Sequence, residues 1–266
     1  MNAQDYKNNS VRTRYKGDTA SKYDKKRAKR KKWKKEINII KQIAYQLDPQ
    51  STIVDIPLGT GRFLQSLQEA SHTVYGIDIS REMLLQAKSK DASQPVDMIL
   101  GDAVTVPLKS QSVDYVLCIR LLNWVLPNTA KLILKEFRRV ARKGVIVGFR
   151  TEHPMSTSEF VKLGIETILP TPTNFSRWSK KILQFSKKAK GKIVHEYRNI
   201  TGKTRPKTNP HNRMAFINTF HDKDAMFKLF SELGMEVREE HYIDMMGSFS
   251  ERIARPYSIY VLKIKE

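Results

Sequence analysis

Hydrophobic and polar positions follow two different periods along the chain, and the two periods alternate. Short apolar runs of strand length are separated by stretches in which apolar residues recur every three or four positions. The predicted strands lie near residues 52–56, 73–78, 97–100, 112–120, 144–149, 236–243 and 258–263. The predicted helices span residues 22–46, 129–142 and 223–233, the last ending at Gly234. This order predicts an α/β fold with a mostly parallel sheet and a C-terminal antiparallel pair.

Three consecutive predicted strands end in an acidic residue. Asp78 comes 23 residues after Asp55, about the spacing at which α/β cofactor folds place a carboxylate on ribose hydroxyls. Asp102 follows the next strand. Each acid has an ordinary explanation by itself, as part of a helix start for Asp78 or of a turn for Asp102. Because the carboxyl ends of parallel strands meet at one edge of a sheet, the regular recurrence predicts a single ligand-binding crevice.

The first of these strand ends breaks into a tight turn. Residues 55–61 read Asp-Ile-Pro-Leu-Gly-Thr-Gly, and a helical pattern starts at Arg62. Glycine at positions 59 and 61 lets the backbone adopt conformations closed to other residues and approach a ligand closely. A nicotinamide site would need a third glycine at position 64, which is Leu64, and a P-loop would need Gly-Lys-Ser/Thr in this turn, which continues Gly61-Arg62-Phe63 instead. Both alternatives are therefore disfavoured.

Taken together, residues 55–61, Asp78 and the turn Gly101-Asp102-Ala103 resemble the motifs of class I S-adenosylmethionine-dependent methyltransferases of the small-molecule type, over roughly residues 38–150. The resemblance implies a Rossmann-like seven-stranded sheet, mostly parallel with an antiparallel C-terminal hairpin, and S-adenosyl-L-methionine as the cofactor. It implies no metal site. Leu58 departs from the pattern, because this group often has Cys or Gly there, and we expect it to change packing more than chemistry.

The resemblance also implies roles for individual residues. The turn from Gly59 to Gly61 would cradle the methionine and ribose part of the cofactor, with Asp55 near its amino group. Asp78 would bind the ribose hydroxyls, and Asp102 the adenine amino group beside the Ala103 backbone. The other implied cofactor-binding residues are Tyr23, Pro57, Thr60, Ile79 and Ile119. Tyr23 belongs to a Tyr-Asp stretch that is common before the first strand of this family and closes over the methionine part.

Candidate acceptor-side residues follow the fourth strand. Arg120 and Asn123 lie where this family places groups that face the acceptor. A guanidinium group pairs bidentately with a carboxylate or phosphate, although a salt bridge at a strand end is the ordinary explanation for Arg120. His211 is our preferred candidate base, ahead of His153 and His221, although structural roles are commoner for such histidines. The sulfonium methyl group is already electrophilic, so positioning and proton removal suffice for catalysis.

Positive charge is concentrated in two segments. Residues 1–36 hold 14 Lys or Arg against 4 Asp or Glu, and residues 177–213 hold 12 against 1. These excesses of +10 and +11 account for the whole formal charge of +21. We expect a basic N-terminal helix or extension at 1–36, and a methyltransferase domain at 37–266 with a basic acceptor-side insertion at 151–216 after the fifth strand. If both segments face the substrate, the acceptor is anionic; a solvated basic surface is the alternative.

The sequence favours one class of acceptor without identifying it. A small molecule, a glycan or a lipid-linked group is favoured, and RNA (tRNA or rRNA) is the alternative. A nucleic-acid-binding protein that retains the cofactor fold with little activity is a further alternative. Against base methylation, the segment after the fourth strand reads Ile-Arg-Leu-Leu-Asn-Trp and lacks an Asn/Asp-Pro-Pro-aromatic turn. Cys118 lacks the preceding proline of a cytosine C5 nucleophile, and the Lys-Asp-Lys-Glu set of ribose methyltransferases is not evident.

Length and cysteine content set the remaining bounds. At 266 residues the chain is long enough for one large α/β domain with additions. It has no apolar run near the roughly 18 residues of a membrane span, and no signal-peptide core at its start. Cys118 is the one cysteine. It forms no disulfide framework, so we expect a buried small hydrophobe and a cytoplasmic location.

Overall fold

A computed structural model of the chain describes residue 24 and residues 27–89, 96–159, 220–248 and 253–265. Its helices are α1 (Lys31–Gln46), α2 (Leu64–Glu69), α3 (Arg81–Lys88), α4 (Pro127–Val140) and α5 (Lys223–Glu232). Its strands are β1 (Thr52–Asp55), β2 (Thr73–Asp78), β3 (Asp97–Leu100), β4 (Val113–Ile119), β5 (Ala141–Pro154), β6 (His221–Asp222), β7 (Met235–Ser248) and β8 (Ile253–Ile264). The predicted alternation of strands and helices is confirmed.

The strands form one sheet whose order reverses beside β1. The order is β3-β2-β1-β4-β5-β8-β7, with β6 paired to the end of β5. Strands β1 to β5 are parallel, and the C-terminal strands are antiparallel, so the sheet has the predicted Rossmann-like arrangement. Because β1 lies between β2 and β4, the crevice outside their carboxyl ends is the position where such sheets bind ligands.

Both faces of the sheet are covered, as strands with buried residues on both sides require. Along β1, Val54 packs in the core that contains Phe137 of α4. The neighbouring Ile53 packs in the core that contains Ile40 of α1 and Leu67 of α2. All five side chains are almost inaccessible to solvent, and burial of such side chains contributes roughly 1.5–3 kcal/mol each. The two cores therefore hold β1, and the turn that follows it, from both sides.

Helix α1 is shorter than the sequence predicts. The predicted helix starts at residue 22. Asp24 and Arg27 are helical, but Arg30 has an extended backbone (ψ 130°) that separates them from α1, which begins at Lys31. No side chain caps this start. The helix is held instead by a buried stripe that includes Trp33, Ile40 and Ile43. The helix crosses the predicted boundary at residue 36 without a break, so the end of the basic extension and the start of the domain share one element.

Strand β5 is longer than the predicted run of residues 144–149. Its final part is stabilised by β6, because Thr151 pairs with His221 and Glu152 with Asp222. A partner from so far along the chain leaves no local pattern, so the extension could not be predicted from the apolar run alone.

The chain separates into two compact units, residues 1–153, 217–246 and 255–266 in the first and residues 154–216 and 247–254 in the second. In the second, the N–H of Ser156 donates to the Glu159 carboxylate (2.9 Å) and the N–H of Glu159 donates to the Ser156 hydroxyl (3.2 Å), a capping box. Most of the predicted insertion at 151–216 lies outside the described residues. Among the described helices, none has the length and apolar character to cross a membrane.

Candidate functional site

A pocket opens at the carboxyl ends of β1, β2 and β4, where the sheet order reverses. Its volume is about 210 Å³, and all of its walls come from the first compact unit. The turn after β1 and the segment after β4 face each other across it, together with residues of α1, β5 and β8. The predicted site residues that line it are Pro57, Gly59, Thr60, Asp78, Ile79, Ile119, Arg120 and Asn123. The structure therefore brings predicted cofactor-side and acceptor-side residues to one cavity.

Asp78 joins the first two strand ends. Its Oδ2 accepts a hydrogen bond from the N–H of Gly59 (2.7 Å), and its Oδ1 accepts one from the N–H of Ser80 (2.8 Å). Burial raises the pKa of Asp78, and the backbone N–H donors of Ser80, Gly59 and Ile79 oppose this shift. The carboxylate thus fixes the glycine turn while it lines the pocket.

The two glycines of the turn have different roles. Both have a left-handed backbone, with φ +57° at Gly59 and +69° at Gly61, which favours glycine. A Cβ on Gly61 would come 2.7 Å from Leu64 Cδ1, so this glycine allows the turn to pack onto α2. A Cβ on Gly59 would meet nothing within 4 Å, and Gly59 lines the pocket. The open space at Gly59 lets a ligand lie against the backbone, as a nucleotide-type cofactor requires.

Asp55 ends β1 but is not among the residues that line the pocket. It is 1% exposed, and among the described residues its Oδ2 has no hydrogen-bond partner. Burial raises the pKa of Asp55 well above its ordinary value of 3.8; Arg62 opposes this shift and Asp78 reinforces it. A buried acidic oxygen without a partner is costly. A cationic ligand group nearby would relieve that cost.

Several predicted residues are not brought to the pocket wall. Gly61 lies behind its neighbours in the turn, and Ala103 is buried in the core. Asp102 accepts a hydrogen bond from the N–H of Val104 (3.1 Å) in the turn after β3. None of the three lines the pocket, so the contact of Asp102 and Ala103 with adenine stays a prediction.

The remaining two predicted residues, Tyr23 and His211, lie outside the described residues. The neighbour of Tyr23 is described: the Oδ1 of Asp24 accepts a hydrogen bond from the Thr60 hydroxyl (2.7 Å). Asp24 therefore contacts the turn after β1. The roles of Tyr23 as a cofactor contact and of His211 as a base stay predictions.

A buried carboxylate from α1 binds two arginines of the pocket wall. Glu36 is 0% exposed. Its Oε2 accepts hydrogen bonds from Arg62 Nη1 (2.7 Å) and Arg120 Nε (3.2 Å), and its Oε1 accepts one from Arg120 Nη2. The contact with Arg120 is bidentate, the geometry in which guanidinium and carboxylate fit best. Glu36 thus links α1 to the turn after β1 and to the end of β4.

Aromatic rings flank the same guanidinium groups. The guanidinium carbon of Arg62 lies 4.2 Å from the centroid of the Trp33 ring and 4.1 Å from that of Phe63. The guanidinium carbon of Arg120 lies 5.3 Å from the centroid of the Tyr257 ring. These distances are within the range of cation–π interactions. Both arginines are therefore held by a ring as well as by a carboxylate.

A second cluster of similar composition joins β5, β7 and α1. Arg150 Nη2 donates to Asp244 Oδ1, and Lys32 Nζ lies 3.6 Å from Asp244 Oδ2. The backbone N–H of Arg150 donates to the side-chain oxygen of Asn123 (2.7 Å). Its guanidinium carbon lies 5.6 Å from the Tyr257 ring centroid. Asn123, predicted as an acceptor-side residue, therefore lines the pocket and also orders the adjoining part of β5.

The clusters around Glu36 and Asp244 each pair two cations with one acid. The four cations line the pocket, whereas the two acids do not, and Asp78 is the one acidic residue in the described lining. Each cluster therefore presents net positive charge to the cavity. Charges at a partly desolvated wall act on a ligand more strongly than charges on an open surface. The end of the pocket beside β4 and β5 consequently selects for negative charge.

Arg120 has a backbone conformation that arginine rarely adopts. Its φ is +72°, in the left-handed region that costs a non-glycine residue about 1 kcal/mol. Its N–H donates to the carbonyl of Gly148 (2.9 Å), which ties this conformation to β5. The side chain predicted to face the acceptor does line the pocket, and it is already paired with Glu36.

The sequence did not reveal several residues of the site, namely Lys32, Glu36, Arg62, Arg150, Asp244 and Tyr257. For Glu36 a signal existed, because it continues the apolar stripe of α1 between Trp33 and Ile40. An acid on the buried face of a helix indicates a buried partner. No such signal existed for Arg150 and Asp244, which are 94 positions apart in the chain.

Two residues that the sequence offered as possible nucleophile or base are buried outside the pocket. Cys118 is fully buried and burial raises the pKa of its thiol, which confirms the prediction of a buried hydrophobe. His221 is buried with its Nε2 2.8 Å from the carbonyl oxygen of Leu122, and burial lowers its pKa. Neither side chain lines the pocket.

Comparison with known proteins relates the central region to a family. Residues 54–149 match the family model described as a methyltransferase domain. Over 102 residues the chain is 33% identical to the malonyl-[acyl-carrier protein] O-methyltransferase of Hamiltonella defensa subsp. Acyrthosiphon pisum (strain 5AT), covering 38% of each protein. Over 108 residues it is 34% identical to the demethylmenaquinone methyltransferase of Staphylococcus aureus (strain Newman), covering 38% of this chain and 43% of that protein. The match thus spans less than half the length of these curated relatives.

Solved structures extend the likeness of fold beyond that region. The magnesium protoporphyrin IX methyltransferase from Synechocystis PCC 6803, solved with bound S-adenosylmethionine, has a TM-score of 0.57 at 12% identity, covering 96% of this chain and 95% of that chain. A methyltransferase from Methanosarcina mazei has a TM-score of 0.51 at 17% identity, covering 84% of this chain and 97% of that chain. At such low identities the likeness shows a shared fold.

Proposed function

We propose that this chain, which carries a class I S-adenosylmethionine-dependent methyltransferase domain over residues 54–149, methylates an acceptor that bears a carboxylate or phosphate group. The observation that supports this proposal is the composition of one pocket. A glycine turn held by Asp78 forms one part of the wall, and two clusters with excess positive charge form another, which reaches from Arg62 beside the turn to Arg120 and Arg150 beside β4 and β5. The first part suits the cofactor and the second suits an anionic acceptor.

The residues of the cofactor end fit a nucleotide-type ligand. Gly59 leaves its backbone open to the cavity, Asp78 places a carboxylate in the wall, and Asp55 has an unsatisfied buried oxygen. In these places Gly59 and Thr60 would hold the methionine and ribose part and Asp78 the ribose hydroxyls. Asp55, which does not line the pocket, would lie near the ammonium group and act on it by charge. When bound, S-adenosyl-L-methionine supplies a methyl group on a positively charged sulfur.

The arginines at the other end bind and orient the acceptor. An arginine stays protonated throughout the physiological pH range, so Arg120 is a binding group for an anion and not a base. The described lining contains no histidine, cysteine or glutamate, and both oxygens of Asp78 accept backbone hydrogen bonds. An acceptor oxygen that is already ionised needs no base, because its lone pair is itself the nucleophile. This supports a carboxylate or phosphate oxygen as the methylated atom.

A small or carrier-linked acceptor is favoured over RNA. By their names, the relatives act on malonyl-[acyl-carrier protein] and demethylmenaquinone, and the structural neighbour acts on magnesium protoporphyrin IX. RNA is the second candidate, since the basic segments 1–36 and 177–213 would also suit a phosphate backbone. Residues 151–216 are proposed to lie on the acceptor side.

A cytoplasmic location is proposed as well, because the single cysteine, Cys118, forms no disulfide framework.

Two measurements test the proposal. Calorimetry with S-adenosylhomocysteine should show binding by the wild-type protein and greatly weakened binding by Asp78→Ala. Transfer of a tritiated methyl group into fractionated cell extract should then label the small-molecule or carrier fraction, and mild base should release label held as a carboxyl methyl ester. Absence of S-adenosylhomocysteine binding would refute the enzyme. Label in the nucleic-acid fraction would establish RNA as the acceptor in place of a small anion.

A further inference from the structure

Acidic residues are scarce in the basic N-terminal segment, and those that the structure describes lie against the cofactor turn. Residues 1–36 contain four Asp or Glu, of which Asp24 and Glu36 are described. Asp24 accepts a hydrogen bond from the Thr60 hydroxyl, and Glu36 binds Arg62 and Arg120. The two described acids of this basic segment therefore both contact residues at the pocket.

Glu36 is an unexpected residue for simple packing of α1. A buried carboxylate loses hydration worth several kcal/mol, and buried ion pairs often stabilise no more than apolar residues of similar volume. Its neighbours on the buried stripe, Trp33, Ile40 and Ile43, are apolar. A leucine or methionine would continue this stripe without a desolvation cost. A buried acid here points to a role in placing the groups that it binds.

The group that Glu36 holds most tightly is the guanidinium of Arg120. The bidentate contact fixes one edge of the guanidinium plane, and the ring of Tyr257 lies on its face. The backbone of Arg120 is fixed as well, by its hydrogen bond to Gly148. A long and flexible side chain thereby has one orientation in the pocket wall, which reduces the entropy lost when it binds a ligand.

We propose that Glu36 is a positioning residue for the acceptor. It holds Arg120 at the acceptor side of the pocket through the bidentate contact, and the same carboxylate also binds Arg62. Glu36 does not line the pocket, so it acts through Arg120 and Arg62. The inference rests on the proposed function, because it takes Arg120 to contact the anionic group of the acceptor.

Three variants separate positioning from folding. Glu36→Gln keeps the length of the side chain and removes its charge, and Glu36→Asp keeps the charge but withdraws it by one methylene. Glu69→Gln is the matched control. Glu69 of α2 pairs with Lys41 of α1 at the surface (2.7 Å) and does not line the pocket. The control therefore also breaks a contact of α1, away from the arginines.

Three quantities are measured. They are the KM for the unmethylated extract fraction that takes up the labelled methyl group, kcat, and the S-adenosylhomocysteine affinity by calorimetry. We expect Glu36→Gln to raise the acceptor KM about tenfold, because a charge-assisted bidentate contact no longer orients Arg120. Its S-adenosylhomocysteine affinity should change less than about threefold, since the hydrogen bonds of Asp78 are untouched. Glu36→Asp should have an acceptor KM between those of Glu36→Gln and the wild type, and Glu69→Gln should match the wild type in all three measurements.

The inference has a clear contrary result. If Glu36→Gln keeps the wild-type acceptor KM and loses activity only in proportion to its folded fraction, measured by circular dichroism, Glu36 is merely structural. Should Glu36→Gln not fold, Glu36→Asp carries the test, and a wild-type acceptor KM in that variant would overturn the inference. Failure of the wild type to bind S-adenosylhomocysteine would instead refute the proposed function, so the two failures are distinguishable.

Discussion

The two ends of the pocket are built in opposite ways. At the cofactor end, the residues come from two neighbouring strand ends, and Asp78 bonds to backbone N–H groups of Gly59 and Ser80. At the acceptor end, side chains bond to side chains from remote parts of the chain. Glu36 and Arg120 are 84 positions apart, and the pair of the second cluster is 94 positions apart.

This difference shows how one fold accommodates different acceptors. A turn that is fixed by backbone hydrogen bonds depends on the sheet and on a few residue types, so it can stay the same wherever the fold is kept. Paired side chains on a wall can be exchanged without altering the sheet. The cofactor end therefore follows from the fold, whereas the acceptor end is particular to this chain.

Asp78→Ala is expected to have the largest effect and to be confined to the cofactor end. It removes the carboxylate that accepts hydrogen bonds from Gly59 and Ser80 and lines the pocket, so S-adenosylhomocysteine affinity should fall on the order of 100-fold. Calorimetry measures this loss. Asp97→Asn, an exposed change at the start of β3, is the control and should bind like the wild type. Equal affinity for Asp78→Ala and wild type would contradict the assigned role.

Asp244→Asn should weaken the acceptor end and spare the cofactor end. Arg150 is 8% exposed, and loss of its charged partner should lower the free energy of unfolding by about 2 kcal/mol. Urea unfolding measures the change, while S-adenosylhomocysteine affinity should stay the same. The control is Asp48→Asn, which removes a surface partner of Lys143 and should leave the unfolding midpoint unchanged. If Asp244→Asn also weakened S-adenosylhomocysteine binding, the residues at the two ends of the pocket would not act independently.

Asp55→Asn tests the buried acid at the cofactor end through pH. The pKa of Asp55 is raised in the folded state. Above the ordinary pKa of 3.8 the unfolded chain therefore loses a proton that the folded chain keeps. Stability falls as the pH rises from this ordinary pKa through the folded pKa. The lowered pKa of His221 acts the other way, reducing stability as pH falls below its ordinary 6.5. Between the ordinary pKa of Asp55, 3.8, and its raised pKa in the folded state, the Asp55 carboxyl should lower stability by up to about 1.4 kcal/mol per pH unit.

In Asp55→Asn that loss should disappear from urea unfolding curves taken from pH 3.8 upwards. Parallel pH dependence in the variant and the wild type would mean that Asp55 is already ionised in the folded chain. The His221 contribution is common to both proteins, so it cancels in the comparison.

Arg120 allows the smallest and most local test of the acceptor end. Glycine adopts the φ of +72° without strain, so Arg120→Gly should be more stable than Arg120→Ala by about 1 kcal/mol. Both variants lose the guanidinium and leave Glu36 with Arg62, so these costs cancel. Thermal unfolding measures the difference, and both variants should show the raised acceptor KM. A more stable alanine variant would mean that the left-handed conformation does not persist.

The accuracy of the sequence-based prediction varied with the distance over which each element is stabilised. Strands β2 and β3 were predicted at residues 73–78 and 97–100, their observed bounds, because each apolar run ends at a glycine or an acid. The helix predicted over residues 22–46 is interrupted at Arg30, and α1 begins at Lys31. Lysine and arginine favour helix without locating its end, so the lysine-rich stretch gave no sign of the break at Arg30.

The sequence by itself determined the fold, the glycine turn and the acid at the end of β2, because these depend on neighbours within one or two elements. Only the tertiary structure decided which cations line the pocket and which acids hold them. Glu36 was visible as an acid on an apolar stripe, yet nothing local could name Arg62 and Arg120 as its partners. Such ion pairs join residues that are distant in the sequence, and only the packing of the folded chain brings them together. The pattern of apolar positions contains no information about which distant residues become neighbours.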